Sequence, residues 1–136
     1  MTDWTALCEH IRQRHPTVRL EPHWLGVELA VEGSGVRVKL ERVTAFEEPW
    51  LLVLAAIGSD RHVDATAALR YNALTAVGAL VIENERCYLR AALPLAEATL
   101  AALDRTIDFI AREAARLRHV FAPRADVAIA LGMFED

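Results

Sequence analysis

The sequence predicts an α+β domain, an antiparallel sheet with helices packed against it, in the order α-β-β-β-α-β-β-α. Three observations carry that reading. Leu100, Leu103, Ile107, Ile110, Ala114, Leu117 and Phe121 step by three and four over more than five turns, the stripe of a long amphipathic helix. Val36, Val38 and Leu40 alternate with Arg37, Lys39 and Glu41, a strand with one wet face. Leu51 to Ile57 is an unbroken apolar run, as in a central strand covered on both faces.

The remaining elements fall between these. Trp4, Leu7, Cys8 and Ile11 recur at helical spacing, with Thr2 or Asp3 as N-cap and a stop at His15, which precedes Pro16. Residues 17–31 read as one strand with a defect. Val18, Leu20 and Trp24 occupy even positions, whereas Val27, Leu29 and Val31 occupy odd ones. Such a parity switch turns the apolar set to the other face unless a bulge corrects it, and Gly26 is the residue suited to one. Glu32-Gly33-Ser34-Gly35 makes a turn, and Glu47-Glu48-Pro49 breaks the chain before Trp50. Val63 to Ala76 is helical, with Leu69, Ala73 and Leu74 as inward positions. Ala79–Ile82 and Arg86–Ala92 form a hairpin about Glu83-Asn84-Glu85, closed by Leu93-Pro94-Leu95. Pro123 ends the last helix, so residues 1–122 constitute one domain and residues 123–136 an apolar C-terminal tail of open conformation.

Composition bounds the function. A chain of 136 residues, 54% hydrophobic and 25% charged, builds one core without staples. Its net charge of −4 and scattered basic residues argue against a nucleic-acid partner, since phosphate contacts demand a basic stripe. The N-terminus lacks a signal-peptide pattern, and no apolar run has the length of a membrane span. Cys8 and Cys87 have no paired spacing and read as small buried hydrophobes, which makes the cytoplasm the expected compartment.

No residue set points to a catalytic site, a metal or a cofactor. His10 and His15 are five positions apart, and His23, His62 and His119 stand alone. Glu47-Glu48 reads as a solvated loop pair, and Asp60-Arg61-His62 with Asp64 as a helix cap. The glycines at 33 and 35 separate two antiparallel strands and have no helix behind them to cradle a phosphate. The aromatic surface is more informative. Trp4, Trp24 and Trp50 are either core residues or the rim of an exposed hydrophobic groove, where aromatic anchors carry much of an interface's energy.

The stretch from Leu69 to Leu117 contains ALRYNALTAVGALVIENERCYLRAALPL and then the long helix. It resembles the C-terminal half of class I type III secretion chaperones and of the related YbjN-like family, through Gly78, Leu80 and Ile82, Cys87 to Arg90, and Leu93-Pro94-Leu95. That resemblance implies a non-enzymatic homodimer with Tyr71, Leu74, Leu80, Ile82 and Tyr88 at its interface. It also implies a protein client, an extended segment lying over apolar patches drawn from Trp4, Leu7, Ile11, Leu20, Trp24 and Trp50. Strand addition at a sheet edge is a reasonable mode for such a client. A YbjN-like regulatory or adaptor role, and a structural subunit of a larger assembly, are the alternatives.

Overall fold

Helix α1 (Trp4–Arg14) opens the described part of the chain, residues 3–121 of a computed structural model. Asp3 is its N-cap, with Oδ1 accepting the Ala6 N–H at 2.7 Å, and the His15 N–H donates to the Ile11 carbonyl where Pro16 stops the helix. Four strands follow: β1 (Thr17–Glu21), β2 (Trp24–Val31), β3 (Ser34–Ala45) and β4 (Glu48–Ser59). Then come helix α2 (Ala65–Leu74), strands β5 (Ala79–Glu83) and β6 (Arg86–Pro94), a 3₁₀ turn at Leu95–Glu97 and helix α3 (Leu100–Phe121). The six strands form one antiparallel sheet in the order β1-β2-β3-β4-β6-β5.

The expected single strand over residues 17–31 is thus two strands joined at Pro22-His23. Gly26 is not a bulge; it pairs regularly with Lys39 on one side and Arg19 on the other. The parity switch has a simpler cause. A two-residue reversal pairs Leu20 with Leu25, so these even and odd positions share a face, while Val18 and Trp24 lie on the other one with Ala56. The irregularity in this hairpin lies instead between Thr17 and Arg19. The chain break expected at Glu47-Glu48-Pro49 is likewise a tighter turn, Phe46-Glu47, and Pro49 lies within β4 opposite Thr44.

Three hairpin reversals, Glu32-Gly33, Phe46-Glu47 and Asn84-Glu85, have positive φ at both central residues, the handedness that matches strand twist. Asn84 and Gly33 suit that conformation; Phe46 and Glu47 do not.

All three helices lie on one face of the sheet. Leu25, Val27 and Leu29 of β2, Val36, Val38 and Leu40 of β3, and Leu51, Val53, Ala55 and Ile57 of β4 turn to that face by strand alternation. They bury against Leu7, Cys8 and Ile11 of α1 and against Leu103, Ile107, Ile110, Ala114 and Leu117 of α3. Both cysteines are buried, and burial pushes each thiol up to about 11, so neither is a nucleophile at neutral pH.

Gly78 enters β5 at φ +76, where an added Cβ would sit 3.1 Å from the Arg90 carbonyl oxygen. Gly78→Ala is expected to lower stability by about 1–2 kcal/mol, the cost of a left-handed alanine, as a reduced denaturant midpoint with unchanged slope.

Candidate functional site

The opposite face of the sheet carries no helix among the described residues. Trp24 stands there in a row with Glu41, Leu52 and Ala92 on the successive strands β3, β4 and β6. In the next row Lys39, Leu54 and Arg90 align. Leu54 and Ala56 are buried although no helix or strand among the described residues covers them. Ala56 forms a separate small apolar cluster with Val18, Trp24 and Tyr88, and long flanking side chains lay their stems over such a surface. Arg19 Cζ and Lys39 Nζ lie 5.4 and 4.9 Å from the Trp24 ring centroid, close enough for cation–π attraction. The face is a shallow apolar strip with a cationic margin around one tryptophan.

The other residues expected to meet a partner are dispersed. Leu7 and Ile11 are fully buried between α1, α3 and the sheet, where they hold the fold. Trp4 is half-buried, packed on the core edge, with Nε1 donating to the Pro22 carbonyl at 3.1 Å. Leu20 is exposed near the same turn. Trp50 lies half-buried at the far end of the sheet between Val43 and Pro94, with Nε1 donating to the Ala45 carbonyl. Phe46 beside it is 90% exposed. Glu47-Glu48-Pro49 beside it signals a turn in the sequence, but only its position on the hairpin tip shows Phe46 to be exposed.

The second candidate surface is the outer side of α2 with β5. Leu69, Ala73 and Leu74, expected to face inward, all point out, and Leu69 and Leu74 are 70% and 87% exposed. The stripe of α2 that meets the rest of the chain is instead Ala68, Tyr71, Asn72 and Thr75. Tyr71 Oη donates to Glu113 Oε2 at 2.7 Å, and its ring meets Phe121 edge-on at 6.4 Å. Asn72 Nδ2 donates to the Leu80 carbonyl at 3.0 Å while its Oδ1 accepts the Leu80 N–H at 2.7 Å. One side-chain amide thus satisfies a rung of the outer edge of β5, as a neighbouring strand would, and blunts that edge. With polar anchors doing the inward work, the apolar residues of α2 are left outside. Val77 and Ile82, 45% and 52% exposed, extend the patch. Of the residues expected at a dimer interface, Leu74 and Ile82 lie on this patch. Tyr71 bridges α2 to α3, Leu80 is buried, and Tyr88 belongs to the open sheet face.

The polar clusters read from the sequence have structural roles. Asp64 caps α2, its Oδ2 accepting the Ala67 N–H at 3.3 Å. His10 Nε2 meets both carboxylate oxygens of Asp104 at 3.1 Å and ties α1 to α3. No group of three metal-ligating side chains converges among the described residues, and no described helix is long and apolar enough to cross a membrane.

The tie between α2 and α3 is sensitive to acid. Hydrogen bonding from Arg116, and secondarily from Tyr71, holds the Glu113 carboxyl below its ordinary 4.5 against the opposing effect of burial. A depressed folded pKa contributes stability that is complete above the unfolded value and is lost as pH falls through the folded one. The stability difference between the native chain and Glu113→Gln, read from urea midpoints, should therefore be constant near neutrality and shrink on acidification below 4.5.

No protein-family model and no curated protein sequence matches the chain. Solved structures do. The ExsC–ExsE complex matches with a TM-score of 0.64 at 16% identity, covering 88% of this chain and 97% of that one. The HopA1–SchA chaperone–effector complex matches at 0.61 and 13% identity, covering 85% and 91%. The Yersinia pestis type III secretion chaperone SycH, in complex with a fragment of YscM2, matches at 0.59 and 12% identity, covering 85% and 99%. The fold is that of the type III secretion chaperones. At these identities the match speaks for the arrangement of α1 to α3 around the sheet.

Proposed function

We propose that the chain is a non-enzymatic, chaperone-like binding protein that holds an extended segment of a client protein and works as a homodimer. The fold carries this reading: the solved structures that share it over at least 85% of this chain include a chaperone–effector complex and a secretion chaperone bound to a protein fragment. The surface supports it from the residues upward. Trp24, flanked by Arg19 and Lys39, offers an aromatic anchor on a sheet face that carries no helix among the described residues, and Leu20 and Trp4 continue apolar surface around the Pro22 turn. Among the described residues β1 is the sheet edge with no strand beyond it, whereas the β5 edge is engaged by Asn72. An added client strand therefore pairs with β1, its alternate side chains reaching Trp24 and the surface near Leu20. The apolar surface of α2 and β5 is the dimer contact.

The test is a native pull-down with tagged full chain and a Trp24→Ala variant, with far-UV circular dichroism to show that the variant is folded. One protein recovered in stoichiometric amount, bound through a protease-sensitive segment and lost on Trp24→Ala, is the expected result. Recovery of the bait alone would remove the client, and a compact folded partner indifferent to Trp24 would favour the adaptor role.

A further inference from the structure

The β3–β4 hairpin ends in an exposed aromatic knob. Phe46 and Glu47 form its two-residue turn at φ 53 and 65, left-handed backbone that a bulky side chain rarely adopts. Strain of this kind persists only where the surroundings hold it, and it gathers at functional sites. Trp50 holds it here, its Nε1 donating to the Ala45 carbonyl at 3.1 Å just before the turn. Phe46 is almost wholly exposed at the tip. The exposed carboxylates of Glu47 and Glu48 flank it, and neither has an ion pair among the described residues.

The other end of β3 borders a feature of the opposite shape. Between α3 and the β2–β3 hairpin runs an open groove of about 1220 Å³. Its apolar floor includes Val31, Phe109 and Ala115, which are half-buried and pack on the core from outside. Its α3 wall is arginine-rich. Arg112 and Arg116 make pairs with Asp108 and Glu113, while Arg105 has no ion pair among the described residues.

We propose that the Phe46 knob of one chain docks in this groove of a second copy. Ser34 lines the groove and Ala45 adjoins the knob, so the two lie about 36 Å apart along β3 at ~3.3 Å per residue. A knob at that distance does not reach the groove of its own chain. Charge selects the occupant: an aromatic flanked by two unpaired carboxylates fits an arginine-walled groove, and every copy of the chain carries both. The ring is the anchor that the apolar floor accepts. Glu47 and Glu48 then meet the α3 wall, where Arg105 is uncommitted and Arg112 is held only by an exposed pair that exchanges at little cost. Knob and groove are different patches, so the contact is heterologous; it repeats head to tail along the strand direction and does not stop at two copies. It uses neither the α2–β5 patch nor Trp24. One aromatic anchor with charges at its rim makes a weak contact, populated at near-millimolar rather than micromolar concentration.

The test titrates a ¹⁵N-labelled full chain carrying Phe46→Asn, whose groove is intact, to near-millimolar concentration with unlabelled chain. Asparagine suits positive φ, so the substitution removes the knob and keeps the turn. With native chain as titrant, the amides of Val31, Phe109, Arg112 and Ala115 are expected to shift progressively. With Phe46→Asn chain as titrant they should stay in place, and a Glu47→Lys, Glu48→Lys titrant should need several-fold more protein for the same shift. Responses of Leu69 and Leu74 common to all titrants report the α2–β5 contact, so failure of that dimer is read separately. No groove response to native chain, an equal response to native and Phe46→Asn chains, or a response specific to Phe46 that maps outside the groove would each overturn the docking.

Discussion

Truncating Ile110 to alanine is expected to lower the unfolding free energy by about 2–5 kcal/mol. Ile110 is fully buried at the middle of α3, its Cδ1 standing 3.6 Å from the point where a Cβ on Gly78 would lie. The cost has two parts: the lost transfer of the methyl and methylene groups, and the cavity left when the surroundings fail to close. Closure is poor here because the floor under α3 is β4 and β6, whose spacing is set by a continuous antiparallel ladder from Trp50↔Pro94 to Ala56↔Tyr88. At a slope of about 2 kcal/mol per molar, the urea midpoint should fall by roughly 1–2.5 M with the slope unchanged. Asp108→Ala, on the solvent side of the same helix, removes an exposed ion pair with Arg112 and should cost under about 1 kcal/mol. Equal effects at the two positions would mean that α3 is not docked as described.

The same helix shows why part of the fold was legible in the chain. Its inward stripe is wholly apolar and its outward stripe charged, so period and burial coincide from Leu103 to Leu117. The alternation in β3 is legible for the same reason, and so is the interior place of β4 between β3 and β6, although helices cover only one of its two faces among the described residues. Where a reversal lacks glycine or asparagine the reading fails. Pro22-His23 and Phe46-Glu47 are two-residue turns with neither, so one strand is expected where two exist, and the break before Trp50 is expected to begin one residue late.

The misreading of α2 has a different origin. Apolar residues were assigned to the interior, yet the face that docks is built on Tyr71 and Asn72, which bond to Glu113 and to the Leu80 backbone. No periodicity of hydrophobic residues records a contact made by an amide and a phenol. Candidate surface residues suffer similarly. Trp24 and Leu7 are both apolar, and only the strand and helix parities, once the register is known, send one to the open sheet face and the other into the core.

Replacing Leu74 and Ile82 together by aspartate is expected to convert the proposed dimer to a monomer without unfolding it. Both side chains are mostly exposed in the isolated chain, so the substitution removes almost nothing from the fold, and surface changes of this kind stay within about 0.5 kcal/mol. In a two-fold interface each residue is present twice. Burying a leucine or isoleucine is worth about 1.5–3 kcal/mol, so losing four such contacts removes at least about 6 kcal/mol of association. At 1.4 kcal/mol per decade that weakens the dimer by about four orders of magnitude, and like charges facing across the axis add to it. Sedimentation equilibrium should give twice the chain mass for the native protein and the chain mass for the variant, with coincident thermal transitions at low concentration. A native protein already monomeric at micromolar concentration would detach the α2–β5 patch from self-association. The exposure of Leu69 and Leu74 would then call for a different partner. A variant that stays dimeric would move the interface elsewhere, first of all to the open face that carries Tyr88.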